Sequence, residues 1–281
     1  MRNSNIPKII WILWLQGFED APDVVKKCLA SWKKHNPTWK INLLDETNIK
    51  EYIDAEKIIG SHYTKISRQA LSDIVRINLL AKYGGVWTDA TCFCCKPLDD
   101  WLGSYMVSGG FFAFSNPGND RPISSWFLAS DVNCKLTQKY CETVNLFWSK
   151  NHFVNQNNRI GKFAIKYLET RIMLSSYRSK KFRMLFLAIN ILKVYPYFWF
   201  HYLFADIITK NKFYMELWEA SKKYSSDVPH KLQISGLFKP LPDEIRNSII
   251  SREDPLYKLT WKFNEKEFVK GCTFDYLLDK T

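Results

Sequence analysis

"RQALSDIVRINLLAKYGGVWTDATCFC", residues 68–94, decides the fold. Successive residues of a helix turn by about 100°, so Arg68, Gln69, Ser72, Asp73 and Arg76 share one arc, while Leu71, Ile74, Val75 and Ala81 fall largely elsewhere. Ser67 places a capping hydroxyl ahead of the helix, and Gly84 and Gly85 stop it. "VWTDATCFC" then reads as a buried strand in which Asp89 is a single charge among Val86, Trp87, Ala90 and Phe93. A carboxylate in such a place is costly unless it is paired or bound to metal. Two readings follow. Arg76 neutralises Asp89 as plain structure, or Asp73, Arg76 and Asp89 converge on a ligand beyond the carboxyl end of the strand, where open α/β sheets bind.

The flanking sequence extends the pattern. "IPKIIWILW" (residues 6–14) is apolar and β-branched, as a short buried strand should be, and Gly17 closes it. Val24, Val25, Cys28, Leu29 and Trp32 recur at helical spacing, "WKINLLD" (residues 39–45) gives a second strand, and Asp45 opens a further helical stretch. "SGGFFAFS" and "SSWFLAS" supply aromatic strands in the middle of the chain. Strands alternating with helices predict an α/β sheet. After about residue 135 the pattern turns helical, and from "DVPHKL" to "DPLYKLTWKF" it returns to short mixed elements.

Composition bounds the function. The chain has 281 residues, 46% of them hydrophobic and 16% aromatic, which suits a folded core rather than disorder. A net charge of +12 implies an anionic partner: nucleic acid, an anionic membrane or a phosphorylated substrate. The eleven tryptophans interleave with apolar strands, which indicates core more than base-stacking platforms and argues against nucleic acid. The seven cysteines and an N-terminus without signal-peptide character predict a reducing cytoplasm. Cys92, Cys94 and Cys95 lack the second well-spaced pair of a zinc site and read as small buried hydrophobes. The most apolar stretch, Met184 to Phe204, is broken by Lys193, Pro196 and His201, so no membrane span is predicted.

The run "SDIVRINLLAKYGGVWTDAT" (residues 72–91), with "IPKIIWILW" ahead of it, resembles nucleotide-sugar glycosyltransferases of the GT-A fold. The likeness is strongest to the capsular polysaccharide synthesis proteins, a DXD-type group distantly similar to clostridial glucosylating toxins. "YFWFHYLF", "VPHKL" and "PLYKLTWK" extend the resemblance over most of the chain. It implies a Rossmann-like mixed sheet flanked by helices, with a mainly helical C-terminal portion. It also implies a nucleotide-sugar-binding core over 1–135, a helical acceptor or membrane-proximal insertion over 136–225, and a segment over 226–281 that returns to the donor site.

Residue by residue, the resemblance implies that Asp73 and Arg76 hold the donor and that Asp89, the first aspartate of DXD, contacts ribose or sugar and places a divalent cation. Trp11 and Trp14 would pack near the base, and Tyr83, Gly84, Gly85, Ala90, Thr91, His230 and Lys231 would complete the donor site. Core packing accounts equally for the two tryptophans. Thr91 stands where the second DXD aspartate is usual and is a poor substitute ligand, so Mn²⁺ or Mg²⁺ would need further oxygen ligands or His230. Alternatively Lys231, Lys258 and Lys262 neutralise the diphosphate directly. His201 and Asp206 suit an acceptor-side role.

The activity implied is transfer of a hexose, with retention of configuration, from a UDP-sugar to a growing glycan or lipid-linked oligosaccharide of a surface polysaccharide. A catalytically inactive glycan-binding relative is the alternative that Thr91 raises. "YRSKKFRMLFLAINILK" (residues 177–193) sets four cations before an apolar run. This suits either an interfacial helix on the anionic inner face of the cytoplasmic membrane or a core helix with a solvated basic lead-in.

Overall fold

The computed structural model describes residues 6–60, 63, 66–106, 109–151, 153, 159–262 and 270–279. Strand β1 (Ile9–Leu13) leads through α1 (Asp23–His35) to β2 (Lys40–Leu44). Short helices α2 (Ile49–Tyr52) and α3 (Ala55–Ile59) precede α4 (Arg68–Tyr83), which turns directly into β3 (Gly85–Thr88). Next come β4 (Cys92–Cys94), α5 (Gly103–Met106) and the hairpin of β5 (Phe111–Gly118) and β6 (Arg121–Ser130). Helices α6 (Lys135–Lys150), α7 (Arg159–Met173), α8 (Lys180–Leu192), α9 (Trp199–Lys210) and α10 (Lys212–Ala220) follow. The chain continues through α11 (Asp227–Ser235), α12 (Asp243–Ile250), β7 (Leu256–Lys258) and α13 (Thr273–Asp279).

The main sheet has the order β2-β1-β3-β6-β5, with β1, β2 and β3 parallel and β6 and β5 antiparallel to their neighbours. This is the expected mixed sheet flanked by helices. Alternation explains why its strands read as unbroken apolar runs: Ile10, Ile12 and Val86 face α1 residues Val24, Val25, Cys28 and Trp32, whereas Trp11, Leu13 and Trp87 face α4 residues Ile74, Val75 and Ile77. Both faces are covered, so both parities are hydrophobic. Tyr140 of α6 and Phe200 and Phe204 of α9 join the α4 side of the core, so the helices after residue 135 extend the first layer.

The helix start and stop fall where the sequence places them. The Ser67 hydroxyl accepts from the Ala70 N–H at 3.2 Å, and Gly84 caps the other end at φ +66°. Gly85 follows at φ +89°, and a Cβ there would lie 2.5 Å from the Ile9 carbonyl oxygen. Only glycine fits where α4 turns back beneath β1.

One expectation is corrected. "VWTDATCFC" is two strands in two sheets: β3 ends at Thr88, and β4 pairs antiparallel with β7. Between them Asp89 donates its backbone N–H to the Trp126 carbonyl at 2.8 Å. Asp89 thus sits at the break, where its side chain reaches the edge of the sheet. The seven cysteines are buried thiols, and burial pushes Cys92 to about 11 and Cys94 to about 12.

Candidate active site

The three parallel strands end at one edge of the main sheet, and β6 begins at that edge because Thr88 pairs with Phe127. A cavity of about 630 Å³ lies there, within the size range of small-molecule sites. Its wall takes Trp14 and Gln16 from the segment after β1, and Arg68, Gln69, Ser72, Asp73 and Arg76 from α4. Asp89, Ala90 and Thr91 come from the strand break, Ser125 from β6, and Tyr197 and His201 from the start of α9 and the turn before it. Gln233 and residues Lys258 to Lys262 close it. Helix α4 runs antiparallel to β3, so its N-terminal half reaches this edge and its polar arc faces the cavity.

Arg76 is the hub. Its guanidinium lies 2.8 Å from Asp73 Oδ1 and 3.3 Å from Asp89 Oδ1, and donates to the Ser125 carbonyl at 2.8 Å and to the Ser72 hydroxyl at 3.0 Å. Its plane lies over Trp87 at 5.1 Å. The charges therefore neutralise one another, and they do so in the wall of a cleft.

Asp89 accepts from Arg76 and the Trp87 indole on Oδ1 and from Lys258 Nζ at 3.2 Å on Oδ2. Burial pushes its carboxyl up, but Lys258 and Arg76 outweigh burial and hold it below the ordinary range. Asp73 behaves oppositely, because burial raises it to about 7 against the pull of Arg76, and Asp89 adds to the rise. Lys258, on β7, also donates to Thr91 Oγ1 at 2.6 Å. Burial opposes its charge, yet Asp89 keeps its pKa above the usual lysine value. His201 lines the cavity with its Nδ1 buried and unpartnered, and burial with Arg121 and Arg76 lowers it to about 3, so the ring is neutral at ordinary pH.

The structure thus brings together Asp73, Arg76, Asp89, Ala90, Thr91 and Trp14, with His201, Lys258 and Lys262 in the same wall, and separates Trp11, Tyr83, Gly84, Gly85, His230, Lys231 and Asp206 from them. Trp11 is buried, donating its indole N–H to the Gly84 carbonyl and packing on Tyr52 and Tyr83. Tyr83, Gly84 and Gly85 lie at the amino end of β3, the wrong edge of the sheet for a contact with the cavity. His230 stacks edge-on against Trp126, with Nδ1 2.7 Å from the Ser226 carbonyl, and Lys231 pairs with Asp254 at 3.7 Å. On that helix Gln233, not His230, lines the cavity. Asp206 pairs with Lys210 at 2.8 Å and is likewise not in the wall.

Trp261 was not anticipated. It meets Trp14 edge to face at 5.5 Å across the cavity mouth. Its signal was available, since "KLTWK" carries an aromatic between two lysines, but nothing local shows that β7 returns to β4.

The cavity wall offers, among the described residues, no ready donor set for a divalent cation. Among the described residues no group of three or more His, Cys, Asp or Glu is arranged to hold a metal ion. Both oxygens of Asp89 and the hydroxyl of Thr91 are already hydrogen-bonded.

An α/β protein with a charged cleft at the carboxyl ends of its parallel strands is the class that fold and site define. The chain belongs to the capsular polysaccharide synthesis protein family, which matches residues 1–168 and 189–277. It is 30% identical over 186 residues to an uncharacterized glycosyltransferase of Acanthamoeba polyphaga mimivirus, covering 58% of this chain and 72% of that one. It is 24% identical over 168 residues to the O-glycosyltransferase braB of Annulohypoxylon truncatum, covering 50% of this chain and 38% of that one. It is 25% identical over 165 residues to the O-glycosyltransferase PaGT of Phomopsis amygdali, covering 53% of this chain and 40% of that one. The chain thus spans less than half the length of these two fungal relatives. Among solved structures the glycosyltransferase GlyE of Streptococcus pneumoniae aligns at TM-score 0.40 and 10% identity, covering 98% of this chain and 63% of that one. At that distance the likeness bears neither on the fold nor on the site.

Proposed function

We propose that this protein is a glycosyltransferase that takes a hexose from a nucleotide-sugar, most simply a UDP-sugar, and adds it to a glycan of a surface polysaccharide. The observation that carries the reading is the convergence of Asp73, Arg76, Asp89 and Lys258 in one cleft whose mouth is flanked by Trp14 and Trp261. In this reading the two tryptophans flank the base, the cations face the diphosphate, and the carboxylates accept from sugar hydroxyls. His201, neutral, and the Tyr197 ring occupy the acceptor side. Transfer with retention suits a wall in which both carboxylates among the described residues, Asp73 and Asp89, are paired with cations rather than free to act as a dedicated base. Residues 1–135 would bind the donor, 136–225 would approach the acceptor, and 226–281 would return to the diphosphate.

A lipid-linked acceptor at an anionic membrane surface fits the outer helices. Helix α8 carries two apolar stripes: Phe182, Phe186 and Ile189 are buried, while Met184, Leu187 and Ile191 are exposed, Met184 by 73%. Lys180, Lys181 and Arg183 are exposed on the same helix, and no helix among the described residues is long and apolar enough to cross a membrane. An apolar stripe beside cations suits shallow insertion at the inner face of the cytoplasmic membrane. Tyr197, which follows α8, is 65% exposed and lines the cleft, so a surface bound there would lie near its mouth.

The test is nucleotide release from UDP-, GDP- and CDP-activated sugars by purified protein. Turnover of a donor is expected. Donor binding without turnover would favour the inactive relative, and neither binding nor turnover would end the reading.

A further inference from the structure

We propose that Lys258 is a built-in replacement for the divalent cation: its ammonium, seated between Asp89 and Thr91, binds the donor diphosphate and makes that binding independent of metal. The inference rests on the nucleotide-sugar reading above and specifies how the phosphates are held.

Geometry singles out Lys258 among the lysines of the C-terminal part. Its Nζ is 3.2 Å from Asp89 Oδ2 and 2.6 Å from Thr91 Oγ1, so it touches both side chains of the D-A-T sequence that would otherwise present oxygens to a metal. The register of β4 against β7 enforces this, because Lys258 pairs with Cys92, the residue after Thr91. Lys231 is held by Asp254 instead, and Lys262 lies over the Trp261 ring, 5.4 Å from its centroid. An ammonium has three protons. Two are directed to Asp89 and Thr91, which leaves one for a phosphate oxygen in the cavity that Lys258 lines.

The charges of the wall point the same way. Among the described residues, Arg68, Arg76, Lys258 and Lys262 line the cavity against two carboxylates, Asp73 and Asp89. That excess already complements a diphosphate. A divalent cation would have to enter beside an ammonium and find most of its oxygen ligands elsewhere, whereas Mg²⁺ demands a nearly complete octahedron of them. Threonine in place of the second aspartate follows from the same arrangement. A hydroxyl accepts a hydrogen bond from an ammonium without adding the negative charge that would draw in a metal.

Calorimetry with UDP, and separately GDP and CDP, in EDTA and in Mn²⁺ tests the proposal on the intact chain. Binding of one of them with affinities within about threefold in the two buffers is expected, as is no titration by Mn²⁺ alone. Lys258→Asp should reverse this, losing nucleotide binding in EDTA and gaining Mn²⁺ binding detectable by electron paramagnetic resonance. Lys258→Met, which keeps the bulk of the side chain, should lose nucleotide binding without gaining metal, and Lys258→Arg should retain part of it. Nucleotide binding that appears only with Mn²⁺, or a Lys258→Met protein that is folded and binds like wild type, overturns the proposal and leaves the nucleotide-sugar reading standing. Absence of binding in either buffer overturns both.

Discussion

Arg76 Nη2 lies 3.3 Å from Asp89 Oδ1, joining the middle of helix α4 to the break after strand β3. Asp73 shares that guanidinium at 2.8 Å, so Arg76 keeps one buried partner even if the other is lost. Asp89→Asn should therefore leave a folded protein, by circular dichroism and cooperative melting. It should lower donor turnover by about 10²-fold, the scale seen when one preorganised polar group that stabilises a transition state is removed. Unchanged turnover in the folded variant would show that Asp89 serves only the ion-pair network.

Asp73 gives an opposed pair of pH profiles. Burial raises its pKa to about 7 from the usual carboxyl value near 3.8, so the folded protein holds the proton more tightly than the unfolded chain does. Its contribution to stability is fully present below about pH 4 and is lost as pH rises through 7. The carboxylate needed to accept from a sugar hydroxyl appears at the upper end of that window. Between pH 6 and 8, kcat/KM for the donor should rise while this contribution to stability falls. Asp73→Asn should flatten both trends, and a wild-type kcat/KM that is flat over that window would remove Asp73 from donor binding.

Gly85 tests the corrected role of the Gly-Gly turn. At φ +89°, with a Cβ only 2.5 Å from the Ile9 carbonyl, Gly85→Ala should destabilise by more than about 1 kcal/mol, a fall in Tm of roughly 2–4 °C per kcal/mol. The site is at the other edge of the sheet, so KM for the donor, measured well below the melting range, should stay within about twofold. A raised KM with unchanged Tm would return the turn to the donor site.

How much of this was legible follows from which signals are local. The α4 pattern, its Ser67 cap and its glycine stop lie within twenty residues of one another, and the polar arc of Asp73 and Arg76 could be read from helical spacing alone. The break at Asp89 could not be read, because Val86, Trp87, Cys92, Phe93 and Cys94 are all buried and no change of parity marks the point where β3 leaves one sheet and β4 enters another. Trp11 and Trp14 look alike in sequence. They differ because Trp11 points into the α4 side of the core within β1, while Trp14 has passed the strand end. His230 and Lys231 were misplaced because "VPHKL" begins a helix, its proline tolerated in the first turn, and the rotation of that helix depends on Trp126 and Asp254, far away in sequence.

Trp14 and Trp261 reach the cavity mouth from opposite ends of the chain and meet edge to face at 5.5 Å. A stacked base is worth roughly 1–3 kcal/mol to an aromatic platform. Trp14→Ala and Trp261→Ala should each raise the donor KM about tenfold, which corresponds to about 1.4 kcal/mol, with a smaller effect on kcat. Losses confined to kcat would place the pair against the acceptor instead.

The exposed stripe of α8 makes a prediction that separates lipid binding from catalysis. Met184, Leu187 and Ile191 recur at helical spacing and face away from the buried Phe182, Phe186 and Ile189, with Lys180, Lys181 and Arg183 in the first turns. Each cation near an anionic leaflet is worth about 1 kcal/mol. Arg178 is committed to Glu219 at 2.5 Å and should matter less than the two lysines. Wild-type protein should float with vesicles containing anionic lipid and be released by salt. Changing Lys180, Lys181 and Arg183 to Gln should weaken flotation, and changing Met184, Leu187 and Ile191 to Ser should abolish the part that survives salt. Because none of these six lines the cleft, both variants should release nucleotide from a soluble donor at the wild-type rate. Equal partitioning of all three proteins would show that the outer stripe of α8 does not bind membranes.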